Sequence, residues 1–277
     1  MFGRHDGGDG ANTPGLGPGA VEGPRSRQKL RPPAIRGALG AAKEAYRGRV
    51  PARYGDGAAF RAGFDEALAK VLAPHQAVLD VGSGRAPTIP LGVRLPGCRY
   101  VGLDISHGEL ERAPAGSYDE MIVTDTVEYV PTLEEQFDVV VSFQVLEHVR
   151  PLDQAFDNLR RYLRPGGQLV AQMSGTFSIF GLLNRVIPQD AALWLLRRFL
   201  HRDPETVFPA HYHRCYFTAL ERILEPWHHA EIIPRFIGEP YLHPWPPLRA
   251  VFIAYEEWAV QRDCRNLASY YVVRATR

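Results

Sequence analysis

The order of its apolar runs constrains this chain more than any other feature. Five strand-like runs follow one another: AVLDVG (77–82), RYVGLDI (99–105), EMIVTD (120–125), FDVVVSF (137–143) and GQLVAQM (167–173). A half-buried strand alternates polar and apolar residues. A run that is apolar nearly throughout belongs to a strand covered on both faces. Helical spacing flanks these runs: Phe60, Phe64, Leu68 and Leu72 precede Pro74, and Leu152, Phe156, Leu159 and Leu163 precede Pro165, Gly166 and Gly167. The alternation predicts an α/β fold, a doubly wound and mostly parallel sheet with helices on both sides.

The flanks differ in character. Residues 1–35 are rich in Gly and Pro and poor in large apolar side chains, and they end in a basic patch of Arg25, Arg27, Lys29 and Arg31. Such a segment buries too little surface to offset its ordering entropy, so a disordered tail is expected ahead of a single domain over 36–277. The stretch 174–215 is too long for a plain connection. Its apolar patches around Leu182 and from Trp194 to Leu200 read as a helical cap over the acceptor mouth. Within it, LWLLRRFL also has the pattern of a helix lying on a membrane surface. Then come a helix, FTALERILEPWHHA, a strand, EIIPRFIGE, an aromatic insertion over about 241–265, and a closing strand, LASYYVVRAT.

Charge and cysteine content exclude several classes. Thirty-two Lys and Arg against 31 Asp and Glu leave a net charge of +1, which gives no support to a nucleic-acid partner. Cys98, Cys215 and Cys264 form no C-x-x-C pair, so neither a disulfide framework nor a zinc site is signalled. With no leader-like apolar core, the expected location is the cytoplasm, with peripheral membrane contact through LWLLRRFL as the alternative.

The chemistry gathers at strand ends, where open α/β sheets hold their ligands. The first strand runs into Asp80, Val81, Gly82, Ser83 and Gly84; the second ends at Asp104; the third at Asp125 and Thr126; the fourth runs into Gln144 and LEHV. A dinucleotide turn would read G-x-G-x-x-G, but positions 82–87 read GSGRAP, with Pro87 in place of the third glycine. Asp104 lies about where a ribose-reading acid is expected. The bland alternative for each acid is a helix cap.

These motifs, VLDVGSG, YVGLDIS, IVTDT, FDVVVSFQVLEHV and LRRYLRPGGQLV, together resemble those of the class I S-adenosylmethionine-dependent methyltransferases, strongly over about 58–175. The resemblance implies a seven-stranded sheet whose last hairpin is reversed, and S-adenosyl-L-methionine as cofactor. It places Gly82, Ser83 and Gly84 beside the methionine part and the sugar, Asp80 at the turn and the ammonium, and Asp104 with Ile105 at the ribose. Asp125 with Thr126 would meet the adenine, and Gln144 the sulfonium.

Methylation of a hydroxyl favours a nearby base. His148 of LEHV is the first candidate, as a base or as a structural residue; His211 and His213 of FPAHYHRCYFT are its rivals. The H-x-H spacing beside Cys215 also invites a metal reading, but no fourth ligand stands at a recognisable spacing, so no metal is expected. For the acceptor, the leading expectation is a hydroxyl of a sugar, glycan or glycolipid. The C-terminal part resembles methyltransferases associated with polysaccharide assembly, and it sets Tyr212, Tyr216, Tyr241 and Trp245 near histidines and Arg214. The alternatives are a small phenolic, quinone or polyketide-like metabolite, or a protein that binds S-adenosylmethionine without catalysis.

Overall fold

A computed structural model describes residues 54, 58–178, 181, 211–238, 242 and 246–277. The chain divides between Ala45 and Tyr46, and every described residue lies in the second unit. The expected tail, the apolar patches at Leu182 and Trp194–Leu200, and Tyr241 and Trp245 lie outside the described residues.

Seven strands form one sheet: β1 (Ala77–Val81), β2 (Arg99–Asp104), β3 (Glu120–Val123), β4 (Phe137–Phe143), β5 (Leu163–Ser174), β6 (His229–Arg235) and β7 (Tyr270–Thr276). Their order is β3-β2-β1-β4-β5-β7-β6. The first five are mutually parallel, while β7 runs antiparallel to both β5 and β6. This is the expected doubly wound sheet with a reversed last hairpin, the class I methyltransferase fold. Among the described residues the helices are α1 (Ala58–Ala69), α2 (His107–Glu111), α3 (Leu152–Tyr162), α4 (Phe217–Leu224) and α5 (Pro246–Gln261).

Strand periodicity divides the core in two. Val78, Val139, Val141, Val170 and Val272 point to one face, where Phe64, Leu68 and Val71 of the α1 region cover them. Their neighbours Leu79, Val140, Leu169, Ala171 and Val273 point to the other, against Phe156, Leu159 and Tyr162 of α3 and Leu220 and Leu224 of α4. Successive side chains on a strand face opposite ways, so a central strand is buried at every position, as β1 is, and all of β1 but Asp80 is apolar.

Several boundaries differ from the sequence reading. The third strand stops at Val123, two residues before Asp125, because β3 pairs β2 only as far as the Asp104–Val123 register. The helix over FTALERILEPWHHA ends at Leu224, because His229 already pairs with Thr276 and begins β6. β5 starts at Leu163 rather than Gly167, with an irregularity in its register opposite Phe137–Val139. Between β1 and β2 the described backbone holds only a 3-10 turn, Leu91–Val93, and no α-helix. Of the second insertion, Pro246–Gln261 is a single helix, α5.

Candidate functional site

The turn after β1 lies against β2 and the end of β4. Gly82 (φ +72°) donates its N–H to Leu103 O at 2.6 Å, and a Cβ on it would sit 2.3 Å from a Val145 methyl. Only glycine suits both the backbone conformation and the approach. Gly84 (φ +47°) lies beside the second predicted residue: a Cβ there would be 3.4 Å from Asp104 Oδ2. Ser83 is buried and donates from its hydroxyl to Asp80 O. The fold thus brings Gly82, Ser83, Gly84 and Asp104 to one edge.

Asp80 lies beneath that edge and is fully buried. Its Oδ2 accepts from Thr88 N–H at 2.7 Å and from the Tyr100 hydroxyl at 2.6 Å, while Oδ1 has no partner. Burial pushes its carboxyl up to about 6, against the pull of those hydrogen bonds. In this structure Asp80 therefore holds the turn from below. Burial also lifts Asp104 above the ordinary carboxylate range, although Ser106 N–H donates to its Oδ1 at 2.8 Å. Ile105, beside it, is 58% exposed, and its side chain is free to lie along a ligand. Asp125 is half-buried and folds back on its own turn, accepting from Val127 N–H at 3.1 Å. Thr126 is buried, and its carbonyl accepts from Asn158 Nδ2.

The end of β4 forms the opposite wall. Gln144 has φ +58°, its N–H donates to Gln172 O, and its Oε1 accepts from Ser174 Oγ at 2.7 Å. Leu146–His148 make a 3-10 turn that carries Glu147 and the candidate base His148. Glu147 is buried, and its Oε1 lies 3.3 Å from Ser174 N and 2.9 Å from Ser174 Oγ. The Ser174 hydroxyl has one hydrogen for two acceptors. A protonated Glu147 resolves this by donating to Ser174 Oγ, which then donates to Gln144. Burial favours that form by pushing the Glu147 carboxyl up.

The same turn anchors a remote segment. Glu147 O accepts the N–H groups of both His211 and Tyr212, and Thr176 bonds Cys215 O and Tyr212 O. His148 and His213 are therefore presented from two turns tied to one carbonyl, while the His211 side chain is exposed. Four buried polar atoms among these residues have no partner: Gln144 Nε2, Glu147 Oε2, His148 Nδ1 and His213 Nδ1. Unsatisfied buried groups are rare, so several together leave a place open to water, an ion or a polar ligand. Among the described residues, no group of three or more His, Cys, Asp or Glu side chains is arranged to hold a metal. Burial pushes the Cys215 thiol up, which disfavours a thiolate ligand.

Glu147 and Ser174 escaped the sequence reading, because Glu147 stood there only as the neighbour of His148. Arg214, expected near an acceptor, forms an ion pair with Asp153 of α3 at 3.3 Å. Among the described residues, no helix is long and apolar enough to cross a membrane.

Residues 79–171 match the family model described as a methyltransferase domain. Over 137 residues the chain is 30% identical to the ubiquinone biosynthesis O-methyltransferase of Mesorhizobium japonicum, covering 48% of this chain and 54% of that protein. It is 28% identical over 152 residues to the protein of the same name from Brucella ovis, covering 53% and 60%. The chain thus spans little more than half the length of these curated relatives. Among solved structures, phosphoethanolamine N-methyltransferase 2 of Haemonchus contortus in complex with S-adenosyl-L-methionine superposes with a TM-score of 0.49 at 15% identity, over 78% of this chain and 52% of that one. The stretch from β1 to the middle of β5 thus matches a methyltransferase domain model, and the sheet that contains it has the class I strand order.

Proposed function

We propose that this chain is an S-adenosylmethionine-dependent O-methyltransferase acting on a hydroxyl of a small quinone-type or phenolic ring. The observation that carries the reading is the placing of His148 and buried Glu147 on the turn whose Val145 packs against Gly82. The residues present fit the cofactor. A carboxylate, Asp104, faces the glycine turn, where it can accept from two ribose hydroxyls. The unpartnered Gln144 Nε2 stands at the β4 end of the same edge. When bound, S-adenosylmethionine supplies a methyl group made electrophilic by its positive sulfur.

The chain's own part is alignment and proton handling. His148 would take the acceptor hydroxyl's proton, readying that oxygen for the electrophilic methyl group that the cofactor would supply. Glu147 holds the turn that carries His148, through Ser174 and the 211–212 backbone. His213 lines the same side.

The ring-type acceptor takes its support from the curated relatives, which are named as ubiquinone biosynthesis enzymes. A sugar acceptor, the leading expectation from sequence, leaned on an Arg214 side chain that here faces Asp153. The test is release of S-adenosylhomocysteine with two panels, ortho-dihydroxyphenols bearing apolar tails and free hexosides. Methylation of the phenols is expected. Transfer to hexosides alone would overturn the acceptor class, and no release with any acceptor would overturn the activity.

A further inference from the structure

The segment from Arg85 to Cys98 leaves the glycine turn and returns to β2 with only a 3-10 turn along it. No α-helix follows the glycines to fix their backbone or to direct N–H groups at a ligand. Something else must hold Gly84 in place, and the structure shows what does.

Two tyrosines from the β2 side stand beneath the loop. Tyr100, in β2, and Tyr118, just before β3, stack at 6.1 Å with planes 17° apart. The Arg94 guanidinium caps the stack, 3.5 Å from the Tyr100 ring centre, while donating to Ile89 O and Ser117 O. The loop and the approach to β3 are thereby clamped by one side chain. The Tyr100 hydroxyl donates to Asp80 and accepts Ile89 N–H at 3.0 Å. The Tyr118 hydroxyl donates to Gly84 O at 2.8 Å. Room for that ring comes from Gly102: a Cβ there would lie 2.7 Å from Tyr118 ring carbons. A glycine in the middle of a buried strand has its reason in this close approach.

We infer that Tyr118 is a positioning residue for the cofactor: its hydroxyl fixes the Gly84 carbonyl, and the Arg94–Tyr100–Tyr118 stack replaces the helix that the loop lacks. The inference rests on the reading of the glycine turn as the S-adenosylmethionine site. Tyr118 lies behind the loop and acts through the glycine turn, on Gly84 and its neighbour Ser83. Its loss therefore weakens cofactor binding without touching the transfer step.

The test is Tyr118→Phe in the full chain, titrated calorimetrically with S-adenosylhomocysteine and assayed for turnover. One neutral hydrogen bond of this kind corresponds to a loss of about 3- to 10-fold in affinity. The KM for S-adenosylmethionine should rise by the same factor, with kcat at saturating cofactor unchanged. In the unliganded protein, hydrogen exchange at Thr88 and Ile89 should stay slow, since Asp80 and Tyr100 still hold those amides. Gly102→Ala, which displaces the whole ring, should weaken binding further. A folded Tyr118→Phe variant that binds as tightly as the wild type overturns the positioning role alone. A wild type that binds no S-adenosylhomocysteine overturns the cofactor reading, and the inference with it.

Discussion

The two walls of the candidate site are built on opposite plans. On the β1–β2 side most polar groups are engaged by the protein itself, Asp80 by Thr88 and Tyr100, Asp104 by Ser106, the Gly84 carbonyl by Tyr118, and two buried atoms, Asp80 Oδ1 and Arg94 Nη2, are left without a partner. On the β4–β5 side Gln144, Glu147, His148 and His213 each keep a buried polar atom without a partner. A wall whose hydrogen bonds are closed is preorganised for one invariable ligand. A wall with open valences is waiting for a group that arrives from outside. Under the proposed function, the difference would separate two tasks: gripping a constant donor and managing the proton of an acceptor.

That division can be broken by substitution. His148→Ala should have the largest effect, a fall in kcat of about 10²- to 10⁴-fold with cofactor affinity unchanged. An equal loss in both would mean that the walls do not work separately. Asp104→Ala should do the reverse. Removing a carboxylate that accepts from two hydroxyls weakens S-adenosylhomocysteine binding by roughly 10²-fold, with the circular dichroism of the folded protein preserved. Calorimetry showing wild-type affinity would remove Asp104 from the site.

A pH profile sharpens the comparison further. Because burial lifts the Asp80 carboxyl to about 6, its contribution to stability is full below about pH 4 and is lost as the pH rises through 6. Asp80→Asn keeps an oxygen for Thr88 and Tyr100 but cannot ionise. Urea melts from pH 4 to 8 should show the wild type losing on the order of 3 kcal/mol that the variant does not lose. Parallel profiles would mean that Asp80 does not titrate there. The smallest effect is expected for Arg214→Ala. Its pair with Asp153 is partly exposed, at 33% and 55%, and should contribute less than about 1 kcal/mol. Turnover of a phenolic acceptor should be nearly unchanged. A collapse of turnover would restore Arg214 as an acceptor contact.

Legibility in the sequence followed the same division. Gly82, Gly84 and Asp104 could be read because each sits at the end of an apolar run, and strand ends in a parallel sheet converge on one edge. The sheet itself was readable from continuous apolar strands. The pairing of Glu147 with Ser174 was not, because it joins residues 27 positions apart and depends on the register of β4 against β5. Asp125 shows the limit of strand-end logic: β3 ends before it, and its carboxylate accepts from its own turn, so its part at an adenine remains a proposal. Tyr118 left a trace that could have been followed. Gly102 interrupts YVGLD in the middle of a buried strand, and an isolated glycine there signals a close neighbour.

If the 211–213 side chains meet the acceptor, as proposed, the bonds from the 211–215 backbone to Glu147 and Thr176 bear on how its choice could change. They are made by main-chain groups and by one threonine hydroxyl, so they survive replacement of the side chains at positions 211–213. The segment behaves as a rail bolted to the sheet, on which interchangeable fittings are mounted. Exchanging His211, Tyr212 or His213 leaves the rail in place, and even at Thr176 a substitution removes only one of its bolts, the hydroxyl bond to Tyr212 O.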